Sequence, residues 1–421
     1  MTFFGQSRLL LTAGLMLLPS MRCHAEEALA AAPFQQAIGI VDLYFKAPLI
    51  SHQLKESTAW DHHDSLSADE ISELRPVVWD RFRKSRLKGK EATESYNERR
   101  LEIGDDVLRF TIRKPKNHSS NKALPLTISL HGGGEASRKA NDLQWQAQQM
   151  RYPKVSGIYV CPRAPRDTWN QWHSDNIYPM ISKLIEEITL RENVDPNRIY
   201  LTGFSAGGYG AFCIGSKMAD RFAAVAAAAG SPTPDHSPAE NWHNTPLRFE
   251  VGEKDVAYNR VTLCRAYQES LTNLAKKSSK AYSFNFIEHA GHGHQIDDRM
   301  SITWLAKHRR DARPKSVVWK PTDNFIQQFY WLANEEPRSG QQIKATINEN
   351  CIQLQTTDVN RLKLRLDDTL VNLDEPISVH ANGMKIFEGM VSRGLQCLVQ
   401  TLEERGDAQM MFCSEIDLYI P

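Results

Sequence analysis

The sequence lacks several features that would settle its class at once. No apolar run reaches the roughly 20 residues that a membrane-spanning helix needs. The best candidate, Leu9 to Met21, is short and carries Pro19 near its end. No charge of one sign dominates either: 51 Lys and Arg face 50 Asp and Glu, for a formal net charge of +1. Such a chain has no broad positive field with which to hold a nucleic acid or an anionic membrane by counterion release. A basic stretch at 81–90 is flanked by acidic residues and has no aromatic series for stacking on bases, so it reads as solvated surface. Cysteine is sparse, with seven in 421 residues. Beyond Cys23 there remain Cys161, Cys213, Cys264, Cys351, Cys397 and Cys413. Cys161 and Cys213 lie in apolar stretches and read as buried thiols. A bridge among Cys351, Cys397 and Cys413 stays open, because spacing does not specify disulfide geometry.

What is present is the profile of a globular protein, 41% hydrophobic and 24% charged, long enough for a large domain and a smaller companion. The start reads as an export signal. Arg8 precedes the apolar run, and Cys23-His24-Ala25 offers small residues for cleavage after Ala25. Arg22 stands where a lipoprotein signal wants a small residue. The expected location is therefore secreted or periplasmic, with no integral membrane association. The expected organisation is a signal peptide at 1–25, a helical arm at 26–98, a catalytic domain at 99–312 and a β-rich domain at 313–421. Within the arm, Ser67 followed by Asp69 and Glu70 marks a helix start, and the arm is expected to pack on the main domain.

From residue 101 the pattern alternates. A hairpin at 101–113 precedes strands at 124–130, 157–161, 198–204, 222–228, 247–251 and 282–288, with helices at 178–191, 206–218 and 260–277. Alternation of this kind predicts an α/β fold with a doubly wound, mostly parallel sheet covered by helices on both faces. Its reactive groups then belong at the carboxyl ends of the strands. After Pro314, short alternating segments at 342–347, 352–356, 361–366 and 377–380, with the turn Ala381-Asn382-Gly383, predict a small all-β domain, read as a sandwich.

At one strand end stands Gly203-Phe204-Ser205-Ala206-Gly207, directly before a helix rich in Ala and Gly. A serine at so tight a turn is pushed out above the sheet at a helix amino end, and the turn tolerates almost no neighbouring side chain. Leu130-His131-Gly132-Gly133-Gly134 closes an earlier strand with unhindered N–H groups suited to an oxyanion. The expected oxyanion hole is the N–H of Ala206 with that of Gly133, Gly132 or Gly134 competing. A serine nucleophile needs an imidazole and a carboxylate, in the order Ser, acid, His for this fold. Asp255 follows the strand at 247–251, with Glu253 as its rival. His292 follows the strand at 282–288. Gly291 and Gly293 flank His292 and would let the loop turn sharply, so His292 is the expected base, with His289 packing and His294 near substrate or solvent. Trp169, Trp172 and His173 follow the strand ending at Cys161 and are expected to form an acyl or sugar pocket over Ser205. Trp319 and Trp331 offer faces that could stack on sugars, though a tryptophan near a domain junction usually packs.

The run Val194-Asp195-Pro196-Asn197-Arg198-Ile199-Tyr200-Leu201-Thr202-Gly203-Phe204-Ser205-Ala206-Gly207-Gly208-Tyr209 resembles the prolyl-oligopeptidase-like and polyhydroxybutyrate-depolymerase-like branch of the α/β hydrolases, which includes feruloyl and acetylxylan esterases as well as peptidases. The resemblance runs from about Leu101 to His308. It implies a serine hydrolase with no cofactor, acting on an ester of a small molecule, polysaccharide or polyester. The hundred or so residues before the hydrolase leave no room for the peptidases' β-propeller, which favours an esterase over a serine peptidase. Two other classes remain open. His289, His292, His294, Asp297 and Asp298, with His62 and His63, are ligand-type side chains that a metal-dependent hydrolase would use, although their spacing departs from two-metal patterns. A hydrolase fold acting as an inactive binding module is the other.

Overall fold

The computed structural model describes residues 33–46, 66–115, 122–278 and 280–421. The expected export signal and the pair His62 and His63 lie outside the described residues.

The described residues begin with the helices α1 (Pro33–Lys46), α2 (Ala68–Leu87) and α3 (Lys90–Asn97). Helix α2 starts at Ser67, whose hydroxyl accepts from the Glu70 N–H while the Glu70 carboxylate accepts from the Ser67 N–H. This reciprocal cap satisfies two donors that a helix end otherwise leaves unpaired. Its buried residues Ile71, Leu74, Val78 and Phe82 fall on one face.

An eight-stranded sheet follows. Its strands are β1 (Arg100–Ile103), β2 (Asp106–Arg113), β3 (Leu124–Leu130), β4 (Ile158–Arg163), β5 (Val194–Phe204), β6 (Ala224–Ala228), β7 (Leu247–Gly252) and β8 (Phe284–His289). They lie in the order β1-β2-β4-β3-β5-β6-β7-β8. The β1/β2 hairpin is antiparallel, as is β2 on β4, and every pairing from β4 through β8 is parallel. Strands β4, β6 and β7 are buried along their whole length, as helices on both faces require. The connecting helices are α4 (Arg138–Arg151), α5 (Ile177–Glu192), α6 (Ala206–Lys217), α7 (Arg260–Lys277) and α8 (Met300–Leu305). The carboxyl ends of β3, β5, β7 and β8 thus bring residues 131–134, 205, 255 and the loop after 289 to one edge.

Beyond β9 (Ser316–Trp319) the remaining strands are β10 (Gln328–Phe329), β11 (Leu332–Ala333), β12 (Gln342–Asn348), β13 (Cys351–Thr357), β14 (Arg361–Leu366), β15 (Ile377–Ala381), β16 (Met384–Gly389) and β17 (Ser414–Tyr419). They form two sheets, β10-β11-β14-β17 and β16-β15-β13-β12-β9. Asn382 and Gly383 both take positive φ in the two-residue turn between β15 and β16, the backbone that such a hairpin demands. The all-β expectation needs correction. Helix α9 (Leu395–Arg405) belongs to this region and buries Leu395, Leu398, Val399 and Leu402, an i, i+3, i+4, i+7 stripe. The arm also sits differently from the expectation. Val41, Tyr44, Leu74, Val78 and Phe82 share one apolar core with Ile343, Leu364, Leu398 and Leu418 of the C-terminal region, so α1 and α2 belong mainly to that core. Trp319 and Trp331 are both buried there, and the Trp331 indole N–H donates to the Pro314 carbonyl. They pack and offer no face to a sugar.

No helix among the described residues is long and apolar enough to cross a membrane. Cys161, Cys213, Cys264, Cys351, Cys397 and Cys413 are all free thiols.

Candidate active site

Ser205 joins the end of β5 to the start of α6 with φ 57° and ψ −119°, a conformation that L residues avoid and that persists only where the surroundings impose it. They do so from several sides. The Ser205 N–H donates to the Ala228 carbonyl, and the Ser205 carbonyl accepts from the N–H groups of Gly208 and Tyr209. The turn leaves no room for flanking side chains: a Cβ on Gly203 would lie 2.0 Å from the Gly207 carbonyl oxygen, and one on Gly207 would lie 2.1 Å from that of Leu130. The hydroxyl therefore projects from the strand end beside the first, unpaired N–H groups of α6.

The imidazole that meets this hydroxyl is that of His294. Its Nε2 accepts from Ser205 Oγ at 2.9 Å, and its Nδ1–H donates to Asp255 Oδ2 at 2.7 Å. The carboxylate can only accept, so Nδ1 carries the proton and Nε2 is left as acceptor. His292, the base expected from sequence, is not in this line. It is exposed, and its Nδ1 lies against the Ala290 carbonyl at 2.9 Å. The reason lies in the loop. Gly291 takes φ 73°, the His292 N–H donates to the His289 carbonyl, and the Lys254 N–H donates to the His292 carbonyl. This tight turn points residue 292 outward, and two further residues bring the chain back over Ser205. Asp255 is 4% exposed and faces His294, whereas Glu253 accepts from the Gly291 N–H at 2.6 Å and shapes the loop instead.

The other acids and histidines of the loop disperse. His289 and Ser301 both bond Glu250. Asp297 pairs with Arg299, and Asp298 is held by Arg151 and Tyr152. Burial pushes the Asp298 carboxyl above its usual range, against the pull of Arg151. The Arg151 guanidinium also lies over the ring of Phe204, which neighbours the His294 imidazole. No group of three or more ligand-type side chains gathers among the described residues.

Opposite the imidazole, residues 132–134 cross beneath the serine, with Gly133 at φ 105° and Gly134 at φ 124°. A Cβ on Gly132 would come within 3.2 Å of the Ser205 Cβ. Asn141, fully buried on α4, accepts from the Gly134 N–H at 3.0 Å and donates to the Gly134 carbonyl at 2.9 Å. Its amide also donates to Asp167 at 2.9 Å. The Gly134 N–H is thereby occupied. The buried His131 ring takes the Ala164 N–H on Nε2 and bonds the Gly132 carbonyl through Nδ1. Burial lowers its pKa to about 4, so it stays neutral. Sequence reading had no cue for Asn141, because the inward face of α4 is polar.

The expected pocket residues separate. Trp172 is 0% exposed, and its indole N–H donates to the His131 carbonyl at 2.8 Å. A Cβ on Gly210 would lie 2.4 Å from the Trp172 Cβ. It packs against α6 and lines no pocket, a correction caused by its full burial between Gly210 and the His131 carbonyl. Trp169 is 65% exposed and runs alongside Gly134, and the His173 ring meets its indole edge-on at 5.0 Å. Burial holds the His173 pKa down at about 4.

Residues 162–330 match the family model described as the dienelactone hydrolase family. Among solved structures, a thermostable esterase is 21% identical over 50% of this chain with a TM-score of 0.39, and the match spans 62% of that protein's length. A mutant of the feruloyl esterase module from Clostridium thermocellum complexed with sinapinate is 15% identical over 49% of this chain and 84% of its own, with a TM-score of 0.35. An S-formylglutathione hydrolase from Agrobacterium tumefaciens is 13% identical over 50% of this chain and 98% of its own, with a TM-score of 0.36. The chain carries an α/β-hydrolase fold, and residues 162–330, from β4 of its sheet into the C-terminal region, match the dienelactone hydrolase family.

Proposed function

We propose that this chain is an exported serine hydrolase that cleaves carboxylic esters through an acyl-enzyme on Ser205. The observation that carries this reading is the line from Ser205 Oγ through His294 to Asp255, set on a serine of strained, elbow-type backbone. His294 Nε2 takes the hydroxyl proton as Oγ attacks the acyl carbon. The imidazolium formed is held by Asp255, and the N–H groups of Ala206 and Gly133 receive the oxyanion. His294 then passes the proton to the leaving alkoxide, and water repeats the sequence to free the acid and restore Ser205. Trp169 and His173 flank the approach over Gly134 and would contact substrate. Preference for an ester rests on the esterase branch that the elbow region resembles and on a matched family named for a lactone, which is a cyclic ester.

The test is turnover of short-chain p-nitrophenyl esters by the wild type and Ser205→Ala. Loss of turnover in a folded Ser205→Ala is expected, and an undiminished rate would sink the mechanism. Faster cleavage of Pro-containing peptides than of any ester would move the assignment to a peptidase.

A further inference from the structure

Asp255 uses only one oxygen for His294. The other, Oδ1, accepts from Arg260 Nη1 at 2.7 Å, and both side chains are almost completely buried. Arg260 Nε donates in turn to the Tyr209 hydroxyl at 3.0 Å, and the Tyr209 N–H donates to the carbonyl of Ser205. One guanidinium thus links the acid that follows β7 to the first turn of the helix that starts at Ser205. Arg260 opens α7 immediately after two residues of left-handed backbone, Tyr258 at φ 54° and Asn259 at φ 57°. The exposed Tyr258 ring stacks on the guanidinium, with the Arg260 carbon 5.0 Å from the ring centroid. Two consecutive non-glycine residues in this region are costly, and such cost is usually met where a side chain must be aimed.

We infer that Arg260 is a positioning residue for the proton relay, an inference that rests on the reading of Ser205, His294 and Asp255 given above. A buried carboxylate with a single imidazole partner can rotate about its last torsion and lose the alignment of Oδ2 with Nδ1. Fastening Oδ1 removes that freedom, as planar guanidinium groups do for carboxylates. The same guanidinium balances the buried negative charge, which a lone imidazole in its neutral state would leave uncompensated. Its bond to Tyr209 fixes the distance between acid and nucleophile, so both ends of the relay move as one body.

The test is steady-state hydrolysis of one p-nitrophenyl ester by Arg260→Ala, Arg260→Lys and Tyr209→Phe, with and without added guanidinium chloride at non-denaturing concentration. Arg260→Ala should lose roughly a hundredfold in kcat with KM within about twofold. Added guanidinium should restore part of the loss in this variant alone. Arg260→Lys should lie between Arg260→Ala and the wild type, and Tyr209→Phe should lose less than either. Unchanged kcat in folded Arg260→Ala, or a loss confined to KM, overturns the inference. Should Arg260→Ala fail to fold, unchanged kcat in both Arg260→Lys and Tyr209→Phe overturns it as well. Turnover that survives in Ser205→Ala sinks the triad reading and this inference together, whereas a Ser205-dependent rate indifferent to Arg260 sinks the positioning role alone.

Discussion

The carbonyl oxygen of Gly293 passes so close to Gly252 that a Cβ on Gly252 would lie 2.0 Å from it. The loop that carries the imidazole is thus seated directly on the backbone at the end of β7. Gly252→Ala should lift that loop, lowering kcat for ester hydrolysis and costing about 1–3 kcal/mol of stability as overpacking does. Thermal melting and turnover measured together check this, and an unchanged Tm with unchanged kcat would show that the loop is free to move.

With the loop seated there, His294 and not His292 faces the serine. His294→Ala should lose at least about a thousandfold in kcat. His292→Ala, which removes an exposed ring, should lose little. Parallel kinetics of the two variants decide the matter, and the reverse ranking would return the role to His292.

Asp255 and Glu253 stand two residues apart with different partners. Asp255→Asn should cut kcat by roughly a thousandfold or more, because the amide NH2 can donate to Nδ1 and so favours the tautomer with its proton on Nε2, and it carries no charge to hold the imidazolium. Glu253→Gln keeps an oxygen for the Gly291 N–H and should remain near the wild-type rate. Equal damage from both substitutions would mean that loop shape outweighs the choice of acid.

Asn141 holds both polar groups of the Gly134 backbone. Asn141→Ala leaves the Gly134 N–H without its acceptor, at a cost of about 1–3 kcal/mol. It also frees the segment that aims the Gly133 N–H, so kcat should fall up to roughly a hundredfold. KM should change little, because ester binding in the ground state asks less of the oxyanion donors. Urea unfolding and steady-state kinetics give the two halves of this prediction.

His131 carries a pH dependence of stability. Its folded pKa is depressed to about 4 by burial, while the unfolded ring titrates near 6.5. Above pH 6.5 both states are neutral and its contribution is fully present. As pH falls from 6.5 toward 4 the unfolded state gains a proton that the folded state refuses, and roughly 3 kcal/mol is lost. Wild-type Tm should therefore drop more between pH 7 and pH 4.5 than that of His131→Asn, and identical slopes would remove His131 as a source of the acid sensitivity.

Much of the fold was legible because local chemistry and tertiary role agree. The Ser67 cap, the Asn382-Gly383 turn and helix α7 at its full length all follow from short-range rules. The elbow was legible for the same reason, since the steric demands of its turn select glycine within five residues. Helix α4 was not, because it turns Asn141 and Gln148 inward and so shows no apolar stripe. Helix α9 did show one, at Leu395, Leu398, Val399 and Leu402, but lay hidden among strands.

His294 and not His292 meets Ser205, because glycine flanks report how sharply a loop turns and not where the turn points. Three histidines within six residues share the same local chemistry. Only the backbone bonds of residues 252–254 with 289–293, made across the sheet edge, select among them. Arg260 and Asn141 carry no sequence signature, since what sets them apart is a set of side-chain bonds, from Arg260 to Asp255 and Tyr209 and from Asn141 to Gly134 and Asp167, that no local pattern reports.

The joining of α1 and α2 to the C-terminal strands sets an order on how the chain can be made. The Tyr44 hydroxyl donates to Glu403 at 2.5 Å, and the apolar faces of α1 and α2 find their cover in residues of the C-terminal region, which are synthesised after them. The hydrolase sheet closes on partners nearer in sequence, so it can consolidate while α1 and α2 still wait with apolar side chains in water. For that interval the nascent chain exposes surface that a chaperone or a neighbouring chain can seize. A premature stop among β12 to β17 would leave α1 and α2 without their apolar cover.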